Sequence, residues 1–291
     1  MKTQPWQLET GAYPFSIRFN PHYSHLDTER HVNNVAVQSF HTEARTRFHM
    51  AVLGDRAWYS DDVLLRPRRT VTHFLRETHY PHEVTAAVRL VAVEDDSYRL
   101  VQALFQSGEC VGVQECLMGA WGEAGWVALP EAARRALAAE QVDGQPLLPW
   151  PELPEETETF EPGPRQVALT ARYADLDPDR RLSELAQARY LEQARAGSVT
   201  MLRQPNLGLL VARIDIRYQR WDTGMGEVAL SSELAGIGNS SFVLRGRAAV
   251  DGRPVAMAES VMVLIDRDTH RPTPVPDALR AEMAVLQPPT A

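Results

Sequence analysis

The chain repeats itself. Tyr23, Leu26 and Asp27 recur as Tyr173, Leu176 and Asp177, and Ala44-Arg45 recurs as Ala194-Arg195, a spacing of 150 residues (173 − 23). Further on the spacing is 144 (218 − 74). There Phe74-Leu75-Arg76 aligns with Tyr218-Gln219-Arg220, Glu83-Val84 with Glu227-Val228, and Ser97, Gly108 and Glu115 with Ser241, Gly252 and Glu259. The first copy therefore carries six extra residues after its first helix, the difference between the spacings. Two copies of one folding unit constrain the answer strongly, because any fold assigned to one copy must also serve the other.

Each copy reads as a short extended segment, a loop, a helix and a run of strands. Val37, Phe40, Ala44, Phe48 and Ala51 recur at spacings of three and four, one face of a helix that must be buried. Strand-like stretches follow: 71–80, 83–93, 98–108 and 111–121 in the first copy, and 211–221, 227–236, 241–252 and 256–266 in the second. Ser107-Gly108 and Asp251-Gly252 mark hairpin turns before the last strand of each copy. A long helix on one face of an antiparallel sheet is an α+β arrangement. The expected organisation is an N-terminal domain over 1–125, a Pro/Glu-rich linker over 126–163 with a helix near 130–141, a C-terminal domain over 164–270 and a tail over 271–291.

Composition narrows the function. The net charge of −8 argues against general nucleic-acid binding, which rests on neutralising phosphates. No apolar run approaches the roughly 20 residues needed to cross a bilayer, and the N-terminus lacks a signal-peptide core, so a cytoplasmic protein without membrane or nucleic-acid partners is expected. Neither a Gly-rich phosphate loop nor a Gly-x-Ser-x-Gly elbow occurs. The two cysteines, Cys110 and Cys116, lie six apart in an apparent strand, so they should share a face, about 20 Å apart, and cannot bridge.

Chemistry concentrates in Asp27-Thr-Glu-Arg-His31-Val-Asn33-Asn34, just ahead of the first helix. Asn is a strong N-cap, and Ser183, another, stands opposite Asn33 at the spacing of 150. With the helix starting near Asn33, its first N–H groups lack intrahelical partners and carry the positive end of the dipole.

An Asp followed by His-Val-Asn-Asn before a buried helix, in a repeated α+β unit, resembles the hot-dog fold of the acyl-thioester hydrolases. The resemblance is to the 4-hydroxybenzoyl-CoA thioesterase-like branch, and the tandem form resembles double hot-dog proteins such as the acyl-ACP thioesterases, in which one chain supplies a pseudo-dimer. It departs at Arg30, where that pattern has Gly, and at Val37, where it often has an aromatic, so a different loop shape and pocket lining are expected. The resemblance implies hydrolysis of an acyl-CoA or acyl-ACP thioester with no cofactor and no metal. Asp27 would act as nucleophile or general base, two alternatives the residues leave open. His31, Asn33 and Asn34 complete the set, and the N–H groups of Val35 and Ala36 are the expected oxyanion donors. A non-catalytic acyl-thioester binder is the alternative, motivated by Arg30 and Val37; a hot-dog dehydratase ranks third.

Three lesser readings complete the picture. Arg66, Arg68 and Arg69 fit either a solvated loop or a clamp for coenzyme A phosphates. His22, His25 and His31 lack accompanying ligands at metal-site spacing. In the second copy Asp177 is retained, but Arg181, Ser183 and Glu184 replace His31, Asn33 and Asn34, so that copy is expected to be a structural partner. Further homo-oligomerisation is left open.

Overall fold

The structure, a computed structural model, describes residues 3–58, 64–142, 144–145, 149, 159–199, 206–221 and 223–287. It divides into two compact units, Met1–Glu155 and Glu156–Ala291.

In unit 1, β1 (Phe15–Phe19) leads through the loop to α1 (Asn34–Leu53), then β2 (Leu64–Phe74), β3 (Val84–Val93), β4 (Ser97–Gln106), β5 (Glu109–Gly122), β6 (Gly125–Val127) and α2 (Glu131–Ala139). The strands pair antiparallel in the order β1-β3-β4-β5-β2, with β6 folded back on β5. Helix α1 lies on one face, its Val37, Phe40, Ala44 and Phe48 packed with Val88, Leu90, Leu100, Leu104 and Met118. It ends at Gly54, whose φ of 98° is a conformation that glycine adopts without strain. The buried arc is wider than the sequence pattern predicts: Ala51 is exposed, whereas Gln38, His41, Arg45 and His49 are buried beside the apolar stripe. The other face of the sheet is covered by the N-terminal segment, where Trp6 and Tyr13 pack on Ala87, Val101, Phe105 and Val113.

Unit 2 repeats the plan. β7 (Arg165–Thr170), α3 (Glu184–Val199), β8 (Leu207–Tyr218), β9 (Glu227–Ile237), β10 (Ser241–Val250) and β11 (Arg253–Asp266) form an antiparallel sheet in the order β7-β9-β10-β11-β8. The repeat read from the sequence is thus a repeat of topology.

Four expectations need correction. The strand expected over 71–80 stops at Phe74, because Leu75 and Arg76 both turn their N–H groups to Val111 O (2.9 and 3.1 Å), and the chain leaves the ladder. Cys110 and Cys116 do not share a face. The pairing of β4 with β5 slips between Leu104 and Phe105, inserting a bulge, so Cys110 packs with the Tyr13 cluster and Cys116 with the α1 cluster. The expected linker is partly unit 1 structure: β6 runs into its start, and the helix expected there, α2, is not free, since Leu129 and Leu137 join the α1 core. Its remaining extended part, at 143, 146–148 and 150–158, lies outside the described residues. The expected tail is also built in: α4 (Asp277–Met283) and the residues flanking it bury Val275, Leu279, Met283 and Leu286 against Leu234, Phe242 and Met262. Only 288–291 of it lie outside the described residues.

Candidate active site

Asp27 shapes the loop before α1. Its Oδ1 accepts hydrogen bonds from the N–H groups of Glu29 (2.9 Å) and His31 (3.0 Å), while its own N–H donates to His31 O (2.9 Å). This turn requires a left-handed residue, and Arg30 supplies it at φ 69°. The Gly-to-Arg departure therefore leaves the turn in the conformation a glycine would favour, at a strain cost of about 1–2 kcal/mol. All the hydrogen bonds to the Asp27 carboxylate among the described residues fall on Oδ1.

Backbone bonds fasten this loop to its surroundings. Asn33 N–H donates to His25 O (2.8 Å), and Val32 N–H donates to Thr78 O (2.9 Å). His25 packs edge-on against Phe40 and stacks on His22; burial, and next the His22 charge, lower its basicity. The bond to Thr78 explains why β2 ends early: the segment after Phe74 bends over to the loop, carrying Glu77 and His79 with it. The His31 Nε2 lies 3.4 Å from Glu77 Oε2, and its ring meets His79 edge to face.

Asn33 is the N-cap of α1, as its position in the sequence implies, and its Oδ1 accepts from Val35 N–H (2.7 Å) and Ala36 N–H (3.4 Å). The two N–H groups expected to be oxyanion donors are therefore engaged by the cap itself. Asn34, the first helical residue, is the remaining member of that turn with an N–H at the positive end of the helix.

The sequence-predicted residues Asp27, His31, Asn33, Asn34, Val35 and Ala36 thus form one continuous loop and helix start. Arg66, Arg68 and Arg69 lie in strand β2 rather than in a solvated loop. Arg68 is committed: it pairs with Asp96 Oδ2 (3.0 Å), donates to Asp96 O and stacks on Trp126 at 4.7 Å. Glu77 and His79 escaped the sequence reading because their stretch has the alternation of a strand. The signal available was two ligand-type side chains at i and i+2, aligned on one side of an extended segment.

Unit 2 builds the same loop. Asp177 Oδ1 accepts from Asp179 N–H (2.9 Å) and Arg181 N–H (3.0 Å), Arg180 is left-handed at φ 61°, and Leu182 N–H donates to Thr223 O (2.8 Å). Ser183 Oγ accepts from Ala186 N–H (3.0 Å), but the first helical residue is Glu184, a buried carboxylate at the positive helix end. Beneath the loop, Arg172 and Tyr190 both bond the buried Asp175.

Comparison with known proteins agrees with this architecture. Residues 173–283 match the thioesterase-like superfamily, a span wholly within unit 2. The structure of the 12:0-ACP thioesterase from Umbellularia californica is similar with a TM-score of 0.71 at 15% identity, covering 85% of this chain and 93% of that one. An acyl-ACP thioesterase from Bacteroides thetaiotaomicron is similar with a TM-score of 0.63 at 13% identity, covering 85% and 96%. At such identities the likeness establishes the fold, a double hot-dog, which is the α+β class read from the repeat. No curated protein matches the chain. No helix among the described residues is long and apolar enough to cross a membrane.

Proposed function

We propose that this thioesterase-like double hot-dog chain hydrolyses acyl-CoA or acyl-ACP thioesters at the loop and helix start of unit 1. One observation carries the assignment to that unit. Both units keep the Asp-centred loop, but only unit 1 follows it with an uncharged first helical residue, so no carboxylate of that residue competes with a developing oxyanion for its positive helix end.

The thioester carbonyl oxygen is received by the Asn34 N–H, where the negative charge that forms on attack is stabilised; one such donor contributes about 3 kcal/mol. Val35 and Ala36 serve indirectly, since their capped N–H groups hold the helix start rigid. Asp27 attacks the carbonyl carbon or removes a proton from the attacking water, and its bonds through Oδ1 fix the carboxylate for either role. His31, tied by its N–H to Asp27, turns its ring towards Glu77 and orients water or substrate. Nothing in these steps calls on a metal or an organic cofactor. The protein works in the cytoplasm in this reading, with the acyl thioester as its partner.

A panel of acyl-CoA and acyl-ACP thioesters, short, medium, long and aromatic, assayed for thiol release tests the proposal, and absence of release from every member refutes it. The capping of Val35 and Ala36 favours a second reading, a binder without turnover, because it removes two donors from the oxyanion site. That reading expects thermal stabilisation by acyl-CoA with no thiol released.

A further inference from the structure

We infer that His31, Glu77 and His79 form a divalent transition-metal site suited to Zn2+, a property that the proposed hydrolysis does not require but that shares His31 with it. The ligand atoms of the three side chains lie within 4.8 Å of one another. His31 Nε2 to Glu77 Oε2 is 3.4 Å, and His79 Nε2 to Glu77 Oε2 is 4.0 Å. Both are longer than a good N–H···O hydrogen bond, so the groups converge without satisfying each other. Ligands at 2.0–2.2 Å around a tetrahedral ion stand about 3.3–3.6 Å apart along each edge. One edge has that length already, the second is 4.0 Å at a half-exposed imidazole, and the third, between the two imidazoles, is no longer than 4.8 Å.

The donor chemistry points the same way. Two imidazoles and one carboxylate are borderline and hard ligands that suit Zn2+, and three protein ligands leave a fourth position for water. Such a set differs from the all-oxygen cages of Ca2+ and Mg2+.

The frame behind the ligands is rigid. Buried Gln106 accepts from His79 N–H (2.9 Å) and donates to His79 O (2.8 Å) and His82 O (2.9 Å), which bolts the backbone of the third ligand to β4. Val32 N–H to Thr78 O joins the segment of the first ligand to that of the other two. The fold itself does not demand these side chains. Unit 2 keeps the joining bond, from Leu182 N–H to Thr223 O, yet has Arg181 where His31 stands, Gly224 after Thr223 where His79 follows Thr78, and Val250 at the spacing of 144 from Gln106. No spacing in the sequence reveals the trio, because His31 and the Glu77-His79 pair meet only through the loop contact.

Isothermal titration of ZnCl2 into the full chain, stripped by chelator and dialysed, tests the site. One Zn2+ per chain is expected, with affinity falling at least tenfold in Glu77→Gln and in His79→Ala, and unchanged in His22→Ala, which removes the neighbouring stacked imidazole. Co2+ should give the intense visible absorption of a tetrahedral site in the wild type and lose it in both variants. Circular dichroism without metal must show the variants folded; if one is not, the other and the Co2+ spectrum decide. Absence of Zn2+ binding, binding indifferent to Glu77 and His79, or loss in His22→Ala overturns the inference.

Discussion

Asp27 and Asp177 hold their loops with matching bonds, from Glu29 and His31 N–H in one unit and from Asp179 and Arg181 N–H in the other. What surrounds the two loops differs. Unit 1 places His25 against Phe40 at the base, Asn34 at the helix start and His31 beside Glu77. Unit 2 replaces these with Asp175 bonded to Arg172 and Tyr190, Glu184, and Arg181. The difference teaches that the aspartate is first a turn-former, needed by the fold in both copies. Its presence alone does not mark a site, and in the proposed function the chemistry depends on the charge placed at the helix end next to it.

Making the helix ends alike should have the largest effect. Asn34→Glu places in unit 1 the carboxylate of unit 2, and a negative charge about 4 Å from an oxyanion raises the barrier by roughly 1–4 kcal/mol. Turnover should fall roughly five- to a thousandfold in a thiol-release assay, while Glu184→Asn leaves it nearly unchanged. An Asn34→Glu enzyme of normal rate would detach the oxyanion site from this helix.

Acid should also separate the units. Burial, with Arg45 next, depresses His41 and His49 to about 3, whereas at the spacing of 150 unit 2 has Leu191 and Val199. The unfolded histidines take up protons below about pH 6.5 and the folded ones do not until about 3, so the unfolded state binds more protons across that window. Stability is therefore fully present above pH 6.5 and falls with acid by up to about 1.4 kcal/mol per pH unit per histidine. His41→Leu should flatten this fall in denaturant melts between pH 7 and 5. Where unit 1 has His25, unit 2 has Asp175, whose burial pushes its carboxyl up but whose hydrogen bonds from Arg172 and Tyr190 outweigh that and hold it below the ordinary range. Its contribution is present above the ordinary carboxylate range and is lost only as pH drops below about 4.

Smaller effects refine the comparison. Asn33→Ala removes the cap of α1 and Ser183→Ala that of α3, and each should cost about 1 kcal/mol in urea melts. Only Asn33→Ala should also lower turnover, since the cap positions the Asn34 N–H. Arg30→Gly and Arg180→Gly relieve left-handed strain but loosen the unfolded chain, so each should shift stability by less than about 1 kcal/mol. A large loss from either would mean that the arginine side chain, and not its backbone, is what the loop needs.

Much of this was legible in the sequence. The repeat gave both units one plan, a long helix on an antiparallel sheet, and Asn33 and Ser183 announced the helix starts because capping is a local property of side chain and neighbouring N–H groups. The parts that were not legible depend on contacts distant in the chain. The bulge that sends Cys110 and Cys116 to opposite faces is set by pairing with β4. Glu77 and His79 reach the loop only because Thr78 O accepts from Val32 N–H. The packing of Leu279, Met283 and Leu286 was hidden by the prolines before them, which read as the start of a tail. The capping of Val35 and Ala36 needed geometry, because the sequence shows that Asn33 caps but not which N–H groups it consumes.

The central claim is that one of two nearly identical loops does the chemistry, and thiol release from matched Asp27→Asn and Asp177→Asn proteins tests it most directly. Asparagine retains the Oδ1 acceptor, so both loops keep their bonds and only the charge is lost. Asp27→Asn should lose activity by at least a hundredfold while Asp177→Asn stays within a few-fold of wild type. Equal losses, or an Asp27→Asn enzyme retaining more than about a tenth of the rate, a barrier change below about 1.4 kcal/mol, would contradict the account.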